Sequence, residues 1–326
     1  MLLKDRFKNK NVYILSHNDL DGIGAIVLYK YYIEPIAQKS YFFSGDYDEI
    51  SQLDFSLFDD IDIVLITDIT PTPELYNYLK DKGKQVFVFD HHISAHDSLV
   101  NVIDENDYFY SIEKCGTKIF FEWLTDNGRR ISKCIFQFVE YVHTYDTWQE
   151  NSSLWKEGKA LHNILWGCVN WNAIDGIDRH TKFIDTQLDK FHKGKHFYFT
   201  AYENQLALKA EDREREFFTT AKNNIDIRQD GEGNTYGYFE LPSKLSVIAH
   251  RLLKDIHNLD YIVAHATFED KKGSFEPSLS LRSAGEVDVS VIATLHGGGG
   301  HKASAGVLLE DYEFFLDVRS GKRHLI

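Results

Sequence analysis

Three short runs of β-forming residues, each closing on acids or imidazoles, limit what this chain can fold into more than any other feature. NVYILS at 11–16, IDIVLITD at 61–68 and QVFVFD at 85–90 carry few polar interruptions. A strand with one wet face alternates apolar and polar residues, whereas a strand apolar at nearly every position is buried on both faces. Stretches of helical length follow the first two runs, GIGAIVLYKYYIE and ELYNYLKDKG. Apolar strands alternating with helices predict an α/β fold, a parallel sheet with helices on both faces.

At 326 residues the chain exceeds what one core usually fills, so two domains are expected. Residues 1–190 read as the α/β domain carrying the site, 191–227 as a helical linker, and 228–326 as a smaller α/β domain. The helical reading covers 115–145 and continues from LHNILWGCVNW to about residue 225. Beyond residue 230, TYGYFEL, YIVAHATF and EPSLSLR read as strands and KLSVIAHRLLKDI as a helix.

A composition of 43% hydrophobic and 26% charged residues is that of an ordinary globular protein. No apolar run approaches the roughly 18 residues that span a bilayer, and MLLKDRFKNKN turns polar too early for a signal peptide, so a cytoplasmic location without membrane contact is expected. Cys115, Cys134 and Cys168 lack C-x-x-C spacing and read as reduced, packed thiols. The net charge of −14 argues against a protein that coats long nucleic acid, which needs a basic surface. A small phosphorylated ligand stays compatible, because bound cations can supply the missing positive charge.

In an open parallel sheet, the crevice beyond the carboxyl ends of the strands gathers residues far apart in sequence. The first run ends in SHNDLDG with His17, Asp19 and Asp21; the second ends in Asp68; the third ends in Asp90, His91 and His92. Asp146, in YVHTYDTW, is a fourth candidate. A lone Asp at a strand end is usually a turn or cap residue. Three successive strand ends of ligand type exceed what turn chemistry requires. Clustered carboxylates repel one another, and a cation is the natural reason to assemble them. Carboxylates mixed with imidazoles suit manganese, with magnesium, cobalt or zinc as substitutes. The set is too large for one ion, so two divalent ions roughly 3.5–4 Å apart are expected.

Two glycine motifs need separate treatment. Gly22 and Gly24 follow a strand, but a third glycine is missing and acids precede them, which disfavours a dinucleotide site. The run Gly297–Gly300 continues into His301 and Lys302, which is no ATP-binding loop. Consecutive glycine amides can still form an anion-binding concavity, and Arg282 and His301 add donors. A plain flexible turn with a solvated Arg282 is the alternative.

HNDLDGIGA, the isolated Asp68, the triplet Asp90-His91-His92 and the late GGGGHKASAG, in that order, resemble the motifs of the DHH phosphoesterase superfamily, in its subfamily with a DHHA1 domain. The resemblance spans nearly the whole chain. It implies His17, Asp19 and Asp68 on one metal, and Asp21, Asp68, His91 and Asp146 on the other, with Asp68 bridging. It further implies that Asp90 orients His91 and that His92 faces the substrate. Arg282, the amides of Gly298, Gly299 and Gly300, and His301 would grip the substrate end that is not cleaved. Ser304 and the extra Gly297 depart from the usual pattern and leave the ligand preference open.

The activity implied is attack of an activated water on phosphorus, releasing nucleoside 5′-monophosphates from short RNA, in the manner of the nanoRNase-type members. A 3′-phosphoadenosine 5′-phosphate phosphatase and a linear dinucleotide phosphodiesterase are the nearest alternatives. A pyrophosphatase shares the early motifs but not GGGGH. From another class, a non-catalytic nucleotide-binding module would be expected to have lost some ligands. A homodimer is compatible with the sequence.

Overall fold

The computed structural model describes residues 3–92, 99–170, 179–269, 275–309 and 311–326. The chain divides into two compact units, Met1–Leu208 and Lys209–Ile326. That division places residues 191–208 with the first unit.

The first unit holds a five-stranded, all-parallel sheet. Its strands are β1 (Asn11–His17), β2 (Lys39–Gly45), β3 (Ile63–Thr67), β4 (Gln85–Asp90) and β5 (Tyr108–Tyr110), in the order β2-β1-β3-β4-β5. The inner strands are apolar at successive positions because each side packs against a core. Val12, Ile14, Ile63, Leu65 and Phe89 face one cluster, built with Leu20–Ile33 and the later helices. Leu15, Val64, Ile66, Val86 and Val88 face the other, with Leu75 and Leu79. A one-residue slip would exchange the two faces, so the register is firmly set.

The helices that matter for the site are α1 (Leu3–Phe7), α2 (Leu20–Tyr32), α3 (Tyr47–Ser51), α4 (Pro73–Asp81), α5 (Gly116–Asp126) and α6 (Lys133–Asp146). The chain leaves β1 through α2 to β2 on one side, while β3 pairs on the other side of β1. This reversal of winding opens a crevice at the carboxyl ends of β1 and β3. The helical reading of 115–145 resolves into α5 and α6. Helices also cover Trp155–Cys168, Thr181–Lys193 and Ala201–Asn224. The portion of that reading at 171–178 lies outside the described residues.

Cys115, Cys134 and Cys168 are free and buried, as read from their spacing. No described helix is long and apolar enough to cross a membrane. Strand β2 was not legible in the sequence, because it is an edge strand whose first residues are partly exposed.

The second unit has a six-stranded mixed sheet. Its strands are β6 (Asp226–Gln229), β7 (Thr235–Glu240), β8 (Tyr261–Glu269), β9 (Phe275–Ser283), β10 (Gly299–His301) and β11 (Ser304–Leu308), in the order β10-β11-β9-β8-β7-β6. Only β7 and β8 pair in parallel among these strands. Helix Leu245–Asp255 packs against β8 and β9, and Val289–Leu295 against β10 and β11.

A buried ion pair ties the helical part of the first unit. Lys190 and Glu203, 1% and 2% exposed, meet at 2.6 Å, and Gln187 donates to the same carboxylate at 3.2 Å. Removing one partner strands the other charge in a dry interior. Lys190→Met is therefore expected to cost about 3–5 kcal/mol of unfolding free energy in a denaturant titration, and adding Glu203→Leu should recover part of that loss. No recovery in the double variant would mean that Glu203 is held by its other contacts.

Candidate metal centre

The site is built where β1, β3 and β4 end side by side. His17 closes β1, and Asp19 caps α2 by accepting the Asp21 and Gly22 amides at 3.0 and 3.1 Å. This cap makes an acid at 19 useful to the fold as well as to the site. Gly22 allows the turn to close, since a Cβ there would fall 2.1 Å from the His17 carbonyl oxygen. Asp21 is fully buried, and its two oxygens accept the amides of Gly116 at 2.6 Å and Thr117 at 2.8 Å. The N-terminus of α5, with its exposed amides and positive dipole end, holds this carboxylate in place.

Asp68 follows β3 with φ of 56°, the left-handed region that Asp and Asn enter more readily than most residues. Its amide donates to the Phe89 carbonyl at 2.8 Å, locking the turn to β4. Gly116 lies directly against it: a Cβ there would sit 2.9 Å from the Asp68 Cβ. Gly116 and Thr117 were missed in the sequence, because their role depends on contacts to residues 21 and 68. The CGT triplet opening a helix was the available signal.

These elements bring the expected ligands together. His17 Nδ1 is 3.2 Å from Asp19 Oδ2 and 3.6 Å from Asp68 Oδ2. His91 Nε2 is 3.3 Å from Asp68 Oδ1, 3.5 Å from Asp146 Oδ2 and 3.8 Å from Asp21 Oδ2. The donor sets His17/Asp19/Asp68 and Asp21/His91/Asp146 each converge within 4.8 Å, as does Asp68/His91/His92. Asp68 lies between the two imidazoles.

One expected role is corrected. Asp90 does not hold the His91 ring; its Oδ1 pairs with His92 Nδ1 at 2.8 Å and accepts the His91 and His92 amides at 2.7 and 3.2 Å. Its other oxygen accepts from the Thr70 hydroxyl. The chain bends sharply after β4, so the His92 ring folds back over Asp90 while the His91 ring points at Asp21, Asp68 and Asp146.

The electrostatics show a surplus of negative charge. Burial, reinforced by Asp21 and Asp19, raises the Asp68 carboxyl well above its ordinary range. Burial and Asp21 do the same to Asp146. Burial disfavours a charged His17, but Asp19 and Asp68 outweigh it and raise the imidazole to about 11. Asp68 Oδ2 and Asp146 Oδ2 are buried without a hydrogen bond among the described residues. Buried acceptors without donors, beside imidazole nitrogens, form the donor set of a borderline divalent cation.

In the second unit, Arg282, Ser304 and His301 stand in register across β9, β11 and β10. Burial lowers the Arg282 guanidinium to about 10, and among the described residues no carboxylate pairs with it. Among the described residues its donors reach the carbonyls of Leu281 at 2.7 Å and Ala305 at 3.5 Å. The Gly298 amide, expected to face a ligand, instead donates to the Ala293 carbonyl at 2.8 Å. It closes the end of the preceding helix and is spent there. Gly299 and Gly300 belong to an exposed edge strand.

A doubly wound sheet that collects acids and imidazoles from three strand ends defines an α/β protein whose clustered side chains could hold a metal ion. Residues 11–141 match the N-terminal domain of the DHH family. It is 27% identical over 330 residues to oligoribonuclease NrnB of Bacillus subtilis, covering 93% of this chain and 75% of that one. It is 21% identical over 358 residues to a 3′,5′-cyclic-nucleotide phosphodiesterase of Helicobacter pylori, covering 96% and 97%. In fold it is similar to RecJ of Thermus thermophilus in complex with Mn2+, with a TM-score of 0.60 at 14% identity over 98% of this chain and 52% of that one.

Asn keeps the left-handed turn at position 68 but removes the charge. Asp68→Asn should therefore raise the unfolding free energy of metal-free protein by about 1–3 kcal/mol, relieving a carboxylate buried without a donor. The same variant should lose the stabilisation that added Mn2+ gives the wild type, read as a melting-temperature shift. A less stable metal-free variant would contradict the charge surplus.

Proposed function

We propose that this chain is a metal-dependent phosphoesterase that hydrolyses short oligoribonucleotides to nucleoside 5′-monophosphates. The observation that carries this reading is the meeting of His17, Asp19, Asp21, Asp68, His91 and Asp146, with two buried carboxylate oxygens left without donors. The likeness to NrnB over most of both chains supports the substrate class.

His17, Asp19 and Asp68 would hold one divalent ion; Asp21, Asp68, His91 and Asp146 would hold the other, with Mn2+ the best match. Such ions supply Lewis acidity, neutralising phosphoryl charge and making water a stronger nucleophile. Asp90 orients the His92 ring by accepting from Nδ1–H; in the imidazolium form, Nε2–H would be the proton passed to the departing oxygen. Arg282, a guanidinium without a carboxylate partner among the described residues, offers bidentate donors to a phosphate, with His301 and the Gly299 and Gly300 backbone beside it. We read the second unit as a DHHA1-type domain and the protein as cytoplasmic. The likeness to the Helicobacter phosphodiesterase favours a small cyclic or linear nucleotide diester as the second reading.

The test is to supply Mn2+ and rank initial rates on di- to pentaribonucleotides, the matching DNA, 3′-phosphoadenosine 5′-phosphate, a 3′,5′-cyclic nucleotide and pyrophosphate. The short ribonucleotides should lead, and preference for pyrophosphate would sink the proposal. Asp68→Ala and His91→Ala should abolish turnover with the fold intact by circular dichroism. His92→Ala should lower kcat by about 10²- to 10⁴-fold while Mn2+ binding persists, the range for losing a proton-transfer group. Arg282→Ala should act mainly on KM.

A further inference from the structure

Tyr47 has no part in the ligand set, yet it stands at the centre's rim. It follows β2, whose last residue, Gly45, is in register with His17 at the end of β1. The same sheet edge therefore delivers Tyr47 and the ligands. Its ring centroid lies 6.1 Å from His17, tilted by 48°, and 6.5 Å from His92 in an edge-to-face arrangement. It thus flanks both a ligand imidazole and the group placed at the leaving oxygen.

Tyr47 is 49% exposed, so part of its surface is open to solvent.

The base of the side chain is pinned. Asp46 and Glu49 form a reciprocal cap, Glu49 N to Asp46 Oδ1 at 2.9 Å and Asp46 N to Glu49 Oε2 at 3.1 Å. The Arg179 guanidinium holds Glu49 from outside at 3.1 Å. A rigid, amphipathic ring loses little conformational entropy when a flat partner covers it.

We propose that Tyr47 is a substrate-positioning residue whose exposed ring stacks on the nucleobase adjoining the phosphate to be cleaved. This rests on the phosphoesterase reading above, and assigns a nucleobase contact to the first unit. An aromatic face accepts any base, so the contact favours nucleoside-bearing diesters over bare phosphates without selecting a sequence.

The test uses the full chain with Mn2+ and compares wild type, Tyr47→Ala and Tyr47→Phe on a diribonucleotide and on analogues in which one or the other base is missing. Tyr47→Ala should raise KM for the diribonucleotide about tenfold, the scale of one lost stacking contact, with kcat within about twofold of wild type. Tyr47→Phe should restore the wild-type KM. On the analogue lacking the stacked base, wild type and Tyr47→Ala should have equal KM.

An unchanged KM in Tyr47→Ala would overturn the proposal, as would a Phe variant as impaired as Ala, which would assign the role to the hydroxyl. If wild type cleaves none of these diesters, the phosphoesterase reading has failed separately. Equilibrium binding of an uncleavable methylphosphonate diribonucleotide then decides the stacking question: equal affinity in wild type and Tyr47→Ala refutes it, and about tenfold weaker binding by the variant supports it.

Discussion

The structure depends on confining negative charge at one edge of a sheet. Asp19, Asp21, Asp68 and Asp146 act on one another within a largely buried cluster, and Asp68 and Asp146 are raised well above their ordinary range. An apolar interior cannot carry such repulsion unless something offsets it. Part of the offset is internal: the α5 amides bind Asp21, and α2 binds Asp19. The remainder falls on Asp68 and Asp146, where the two imidazoles stand beside oxygens with no donor. The cluster is thus an electrostatic problem that the fold solves only in part.

The scaffold bears this load because its inner strands are locked from both faces. A residue at the end of such a strand has little freedom to retreat from a like charge. The left-handed Asp68 shows the cost, and the close contact with Gly116 shows how it is imposed. Geometry at the site is bought by burial elsewhere, which explains why the ligands sit at strand ends and not on long loops.

The two histidines of the triplet divide their tasks by direction. The His91 ring points to the acids, and His92 folds back onto Asp90. Adjacent residues with the same chemistry acquire different partners because the chain turns between them. In the second unit, Arg282 shows the converse imbalance, a cation placed against carbonyls and, among the described residues, no carboxylate. An anion would complete it, as a cation would complete the first unit.

The sequence by itself determined the layered α/β core, since apolar strands of that length have no other stable place. It also determined which acids and imidazoles would meet, because in a parallel sheet inner strand ends must lie side by side. Only the tertiary structure decided what holds them: Gly116 and Thr117 against Asp21 and Asp68, Asp90 against His92, the Gly298 amide spent on Ala293, and Tyr47 at the rim. β2, whose first residues are partly exposed, escaped notice for the same reason. Hydrophobic pattern is a local property that can be read along the chain. Partners distant in sequence are fixed by packing, which leaves no periodic mark on the residues that take part.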